Sequence, residues 1–162
     1  MNTNLLAVII NSTIRSTTPV LLAALGSAIC SQVGVFNIAL EGQILIGSFV
    51  AIVANYFTGN VYLAVLCGVL SGAAVASLVA VLQVKYKAAD MVIGTSVNLL
   101  VSGLTSVLLN TILGVKGSFS SPQLKALPKI SIPVIRDIPF VSRVLEQLTF
   151  IDYLSYILAI LM

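Results

Sequence analysis

Residues 42–84 read GQILIGSFVAIVANYFTGNVYLAVLCGVLSGAAVASLVAVLQV, 43 consecutive residues without Asp, Glu, Lys or Arg, bounded by Glu41 and Lys85. A helix rising about 1.5 Å per residue crosses a hydrocarbon core with about 20 apolar residues, so this run holds two spans. Asn55-Tyr-Phe-Thr-Gly-Asn60 divides it. Its Asn and Gly suit a tight turn and its aromatic rings suit a membrane interface. Working outward, 25 uncharged residues lie between Arg15 and Glu41, and another 25 between Asp90 and Lys116. The fold class predicted is all-α, a polytopic transmembrane helix bundle. Spans are expected near 5–32, 35–57, 61–84 and 91–115, followed by a fifth apolar segment at 150–162. After Asp152 ten uncharged residues remain. They cover about half of a hydrocarbon core, which is the expectation for a helix cut inside the membrane. A short interfacial segment is the alternative.

The composition agrees. Of 162 residues 59% are hydrophobic and 8% charged, and there is no histidine, so a soluble globular domain is excluded. The net charge of +3 comes from a few Lys and Arg outside the apolar runs. It bears on orientation and provides no basic groove for nucleic acid. Cys30 and Cys67 both fall within apolar runs, where thiols behave as small hydrophobes, and no metal-ligand set is predicted. The N-terminal Met-Asn-Thr-Asn lacks the basic region of a cleavable signal.

Along the chain, Pro19 removes the bond to the Arg15 carbonyl, so the first span is predicted to be a long helix broken near Pro19. In the third span Ala64, Gly68, Gly72, Ala76 and Ala80 recur every fourth residue. Lipid gives helices no hydrophobic reason to associate, so small residues at this spacing are expected to form a close-packed helix contact, with a pore lining as the alternative. Lys85 and Lys87 occupy a short loop of the kind retained in the cytoplasm. Residues 116–149 carry Pro122, Pro128, Pro133 and Pro139 and are expected to form a polar extracytoplasmic loop, with the apolar pieces Ile130–Ile135 and Ile138–Val141 at the surface. Three spans precede the Lys85 loop, which puts the N-terminus outside.

Candidate functional residues are the polar ones at membrane depth. Glu41 is the single acid between Arg15 and Lys85, and an ionisable group there is a functional candidate by default. On a helix Gly34, Asn37 and Glu41 would share a face at i, i+3 and i+7, suited to a hydroxyl-rich solute. The competing reading is that Glu41 hydrogen-bonds the backbone of a broken helix. On the fourth span Thr95, Asn98, Ser102 and Thr105 form a polar stripe beside Gly94. It serves either as interhelical hydrogen-bond glue or as a translocation path in which Asn98, both donor and acceptor, meets the solute. The candidate path is therefore Asn37, Glu41, Thr95, Asn98 and Ser102. The candidate packing residues are Gly34, Gly42, Ala64, Gly68, Gly72 and Ala76. Catalytic signatures are absent: there is no phosphate-cradling Gly-x-x-x-x-Gly-Lys-Ser/Thr run and no nucleophile elbow.

Thr18-Pro19-Val-Leu-Leu-Ala-Ala-Leu-Gly26, with Gly34-Val-Phe-Asn37-Ile-Ala-Leu-Glu41-Gly42-Gln-Ile-Leu-Ile-Gly47, resembles the opening of bacterial ABC-transporter permeases for nucleosides and simple sugars. Gly94-Thr-Ser-Val-Asn98-Leu-Leu-Val-Ser-Gly103-Leu-Thr is similar to a later stretch of that family, and Ile132-Pro-Val-Ile-Arg-Asp-Ile-Pro139-Phe to its extracytoplasmic loop. The resemblance implies a multi-pass subunit in the bacterial plasma membrane that moves a small-molecule solute. It also implies a second permease subunit, an extracytoplasmic solute-binding lipoprotein, and a separate ATP-binding cassette subunit that holds ATP and Mg, leaving no cofactor in this chain and membrane lipid as its solvent. The family's ATPase-engaging cytoplasmic loop matches no residue here. The related branched-chain amino acid permeases are the runner-up, and a truncated remnant or membrane scaffold is the reading from another class.

Overall fold

A computed structural model describes residues 3–115, 117, 119–122, 124–127 and 148–161. Most of the expected polar loop therefore lies outside the described residues, including Pro128, Pro133, Pro139 and both of its apolar pieces. The described elements are α1 (Thr3–Gln32), α2 (Leu40–Thr58), α3 (Val61–Ala80) ending in a π-turn (Val81–Lys85), α4 (Asp90–Leu113) and α5 (Phe150–Leu161). Four helical stretches are long and apolar enough to cross a membrane: Val8–Gln32, Leu40–Thr58, Val61–Lys85 and Asp90–Leu113. The all-α transmembrane architecture stands. The contacts separate the chain into two units, residues 29–126 and residues 1–28 with 127–162.

Two boundaries differ from the sequence reading. The expected break at Pro19 is not there, because α1 runs uninterrupted through it. Proline removes one backbone bond, and around it the hydroxyls of Thr13, Thr17 and Thr18 bond back to the carbonyls of Ile9, Thr13 and Ile14, so polar groups stay paired within the helix. The second span was expected from residue 35 but α2 starts at Leu40. Residues 35–38 are irregular because side chains claim their backbone: Asn37 Oδ1 accepts the Ala39 N–H at 3.1 Å and Asp90 Oδ2 accepts the Phe36 N–H at 3.1 Å. Such bonds compete with helix propagation.

In residues 29–126, α2 packs most extensively on α3 and next on α4. The two ends of the α2–α3 connection are capped. Gly59, at φ 61°, gives its N–H to the Asn55 carbonyl, the left-handed stop that glycine adopts without strain. Asn60 then caps α3 by accepting the Tyr62 N–H at 3.0 Å, as an N-cap asparagine does. Ala39, Val79 and Ile93 form a small buried core against which Val75, Leu82, Ala88 and Val97 pack. Phe119 and Lys125 both meet the end of α2 beside this turn: Tyr56 meets Phe119 edge to face with centroids 5.4 Å apart, and Asn55 Nδ2 donates to the Lys125 carbonyl at 2.9 Å.

In residues 1–28 with 127–162, α5 meets α1 through polar groups. Asp152 is buried, and its Oδ1 accepts the Thr18 hydroxyl at 2.6 Å while Oδ2 accepts the Thr149 N–H at 2.7 Å. The Tyr156 hydroxyl donates to the Ile14 carbonyl at 3.3 Å. A buried carboxylate is tolerable only with such donors. In sequence Asp152 marks only the start of the last apolar segment.

Candidate functional site at the α2–α4 joint

The sequence places an alanine at the N-cap of α2, and Ala39 has no side-chain acceptor for the first free N–H groups of the helix. An asparagine from another helix supplies it. Asn98, half-buried on α4, accepts the Gly42 N–H through Oδ1 at 2.8 Å and donates through Nδ2 to the Ile38 carbonyl at 3.0 Å. Gly42 is the third residue of α2, the position whose N–H an ordinary N-cap side chain would take. Both amide functions of Asn98 are thus engaged with the backbone on either side of the start of α2.

The joint closes only because two residues lack side chains. A Cβ on Gly42 would lie 2.9 Å from Asn98 Oδ1, and a Cβ on Gly94 would lie 2.4 Å from the Ile38 Cβ. The irregular segment is held from two more directions, by Asp90 Oδ2 on the Phe36 N–H and by Gln83 Nε2 donating to the Phe36 carbonyl at 3.4 Å.

The other candidates are distributed as follows. Asn37 does not share a helix face with Gly34 and Glu41, since it precedes α2 and donates to Gln43 Oε1 at 3.4 Å. That expectation is corrected by the bonds that keep 35–38 out of the helix. Gly34 sits at φ 77° with nothing within 4 Å of an added Cβ, so it serves the turn and makes no packing contact in the described structure. Glu41 is exposed in the first turn of α2, where the helix dipole favours a negative charge. On α4, Thr95 and Ser102 are exposed while Thr105 is buried and bonded to the Val101 carbonyl at 2.7 Å. The stripe therefore splits between surface and packing.

Part of the small-residue stripe of α3 lies close against α2. Ala64 and Gly68 are buried. A Cβ on Gly68 would lie 2.9 Å from the Gly47 carbonyl oxygen and 3.0 Å from the Ala51 Cβ, and one on Gly72 would lie 3.6 Å from the Gln43 carbonyl oxygen. Ala76 is half-buried and Ala80 is exposed. The sequence reading missed Gln83, Asp90 and Gly47. The available signal was Gln83 as the last uncharged polar residue of an apolar run and Asp90 as the acid opening the fourth.

Four spanning helices, polar residues placed at helix starts and no assembled catalytic cluster among the described residues define a multi-pass membrane protein. Residues 9–162 match the family described as branched-chain amino acid transport system / permease component, and the chain belongs to it. It is a protein of the bacterial plasma membrane. It is 31% identical over 163 residues to the guanosine ABC transporter permease protein NupQ of Bacillus subtilis, with 96% of this chain and 49% of that one covered. It is 28% identical to the nucleoside ABC transporter permease protein NupC of Lactococcus lactis, with 98% and 51% covered. A Haloferax volcanii protein provisionally named a glucose ABC transporter permease is 29% identical, with 91% and 44% covered. The chain thus spans about half the length of these relatives. No solved structure matches it.

Proposed function

We propose that the chain forms part of the permease subunit of an ATP-driven importer for nucleosides or simple sugars, contributing one side of the translocation path. The observation that carries this reading is the α2–α4 joint: polar groups on otherwise apolar helices, organised about Asn98, with Glu41, Thr95 and Ser102 left exposed beside it. Exposed polar groups at membrane depth must face protein or a watery cavity. The names of the relatives favour a nucleoside or sugar over a branched-chain amino acid. ATP and Mg belong to a separate ATP-binding cassette subunit, and a second permease subunit and an extracytoplasmic solute-binding lipoprotein complete the assembly.

In this reading Glu41, Thr95 and Ser102 meet the solute, Asn37 shapes the approach and Asn98 positions them. In the complete permease, Glu41→Gln keeps a carbonyl acceptor and Glu41→Leu removes it. A hydrogen bond to a charged group is worth about 1.5–3 kcal/mol, so Glu41→Leu should raise the uptake KM for labelled guanosine or ribose about 10- to 100-fold. Glu41→Gln should stay within about tenfold. Equal KM values for the Leu variant and the parent would remove Glu41 from the path.

Orientation gives a second expected result. The Lys85–Lys87 loop should face the cytoplasm and Lys125 the outside, because one span separates them and short basic loops stay inside. With Cys30 and Cys67 replaced, Lys125→Cys should react with an impermeant thiol reagent in intact cells and Lys87→Cys should not. The reverse pattern would invert the topology.

A further inference from the structure

Beside the π-turn that ends α3 lies an open groove of about 370 Å³, within the range of about 300–1,000 Å³ typical of small-ligand sites. Its walls are chiefly apolar: Cys30, Val33 and Val35 on one side, Val79, Ala80 and Val84 on the other. Two of its polar lining residues are turned to the local backbone. Gln83 Nε2 donates to the Phe36 carbonyl, and Asn37 Oδ1 accepts the Ala39 N–H. The groove therefore suits hydrocarbon better than a hydroxylated solute, which would need free hydrogen-bonding groups in its walls.

The lip of the groove has a different character. Val84 is followed at once by Lys85-Tyr86-Lys87, all three exposed. The π-turn, closed by the Tyr86 N–H on the Val81 carbonyl, ends α3 with the lysine just past the apolar wall. Lys87 follows at φ 49°, in left-handed backbone. The Lys85 ammonium lies 5.9 Å from the Tyr86 ring centroid, and tyrosine beside lysine is the pairing found at headgroup level. The next acid along the chain, Asp90, bonds the Phe36 N–H and forms no ion pair with either lysine among the described residues. Apolar walls whose lining residue Val84 is followed directly in the chain by a lysine-tyrosine-lysine sequence complement a molecule that has an acyl chain and an anionic head.

We propose that this groove binds an anionic phospholipid, with an acyl chain along the Val33–Val84 walls and the phosphate at Lys85 and Lys87. Basic pockets between helices recognise such headgroups, and each lysine near an anionic lipid contributes about a fivefold preference. The proposal does not depend on which solute is carried.

The test uses the permease with its partner subunits in phosphatidylcholine vesicles. These contain a trace of either phosphatidylglycerol or phosphatidylcholine carrying the same photoreactive acyl chain. Crosslinks should map to Cys30, Val33, Val35 or Val84 and favour phosphatidylglycerol. Lys85→Gln with Lys87→Gln should cut that preference about 25-fold, two factors of about five, while leaving the phosphatidylcholine crosslinks unchanged. Ala80→Phe, at an exposed lining residue, should abolish both. Equal crosslinking of the two lipids overturns the proposal, as does an absence of crosslinks because another part of the assembly covers the groove. Release of the ATP-binding subunit by the lysine changes, with lipid preference intact, would reassign the lysines to a protein contact and overturn it as well.

Discussion

Replacing Gly68 with leucine should abolish assembly of the permease. A single Cβ at this position would already lie 2.9 Å from the Gly47 carbonyl oxygen and 3.0 Å from the Ala51 Cβ. The first of these is backbone and cannot swing aside, so α2 and α3 must separate. Overpacking a close contact costs about 1–3 kcal/mol, and a leucine should lie at or above the upper end. The loss also propagates, since lipid supplies no hydrophobic force to hold the helices at a wider spacing. Gly68→Ala should be intermediate. Gly72→Leu should be milder than Gly68→Leu, because its Cβ would meet the Gln43 carbonyl oxygen at 3.6 Å, an ordinary contact. Leu70 is exposed, and Leu70→Ala should change little. Recovery of monodisperse permease with its partner subunits, measured by size-exclusion chromatography, ranks the series. Parental yield from Gly68→Leu would mean that the α2–α3 contact has been misassigned.

Asn98→Leu should be nearly as damaging, for an electrostatic reason. It strips the Gly42 N–H and the Ile38 carbonyl of their partner at once. Each unpaired buried backbone group costs about 1–3 kcal/mol, so the pair gives about 2–6 kcal/mol before any relaxation. Asn98→Asp keeps the acceptor for Gly42 and loses the donor to Ile38, and should fall between Leu and the parent. Gly94→Ala attacks the same joint sterically, since its Cβ would lie 2.4 Å from the Ile38 Cβ and 3.1 Å from the Ile38 carbonyl carbon. Thermal unfolding of the purified assembly should rank Asn98→Leu and Gly94→Ala well below the parent. If Asn98→Leu were to melt with the parent but lose solute affinity, Asn98 would be a solute contact and the positioning role would fail.

The α2–α3 contact and the α2–α4 joint differ in how far the sequence exposed them. The four-residue spacing of Ala64, Gly68 and Gly72 is visible along a single helix, because the period of an α-helix alone brings those positions to one face. What that face meets, Gly47, Ala51 and the Gln43 carbonyl, belongs to another segment and has no sequence signature. Asn98 is the sharper case. Its position in a polar stripe on the fourth span suits either interhelical glue or a solute contact, and in the structure the amide bonds backbone 56 and 60 residues away in sequence. The partners of Asp90 and Gln83 have no sequence signature, because a lone polar residue at the edge of an apolar run carries no information about what it will meet.

Local sequence features alone specify a membrane protein with four long spans and the tight turn between the second and third. These properties follow from local quantities, the length of an uncharged run and the period of a helix, and they need no knowledge of neighbours. The departure of residues 35–38 from the helix, the continuity of α1 through Pro19 and the bond of Asp152 to Thr18 come from the folded arrangement. Each of these depends on where a backbone N–H, a carbonyl or a carboxylate finds its partner. In a chain whose solvent offers none, that partner can come from any segment the fold brings near.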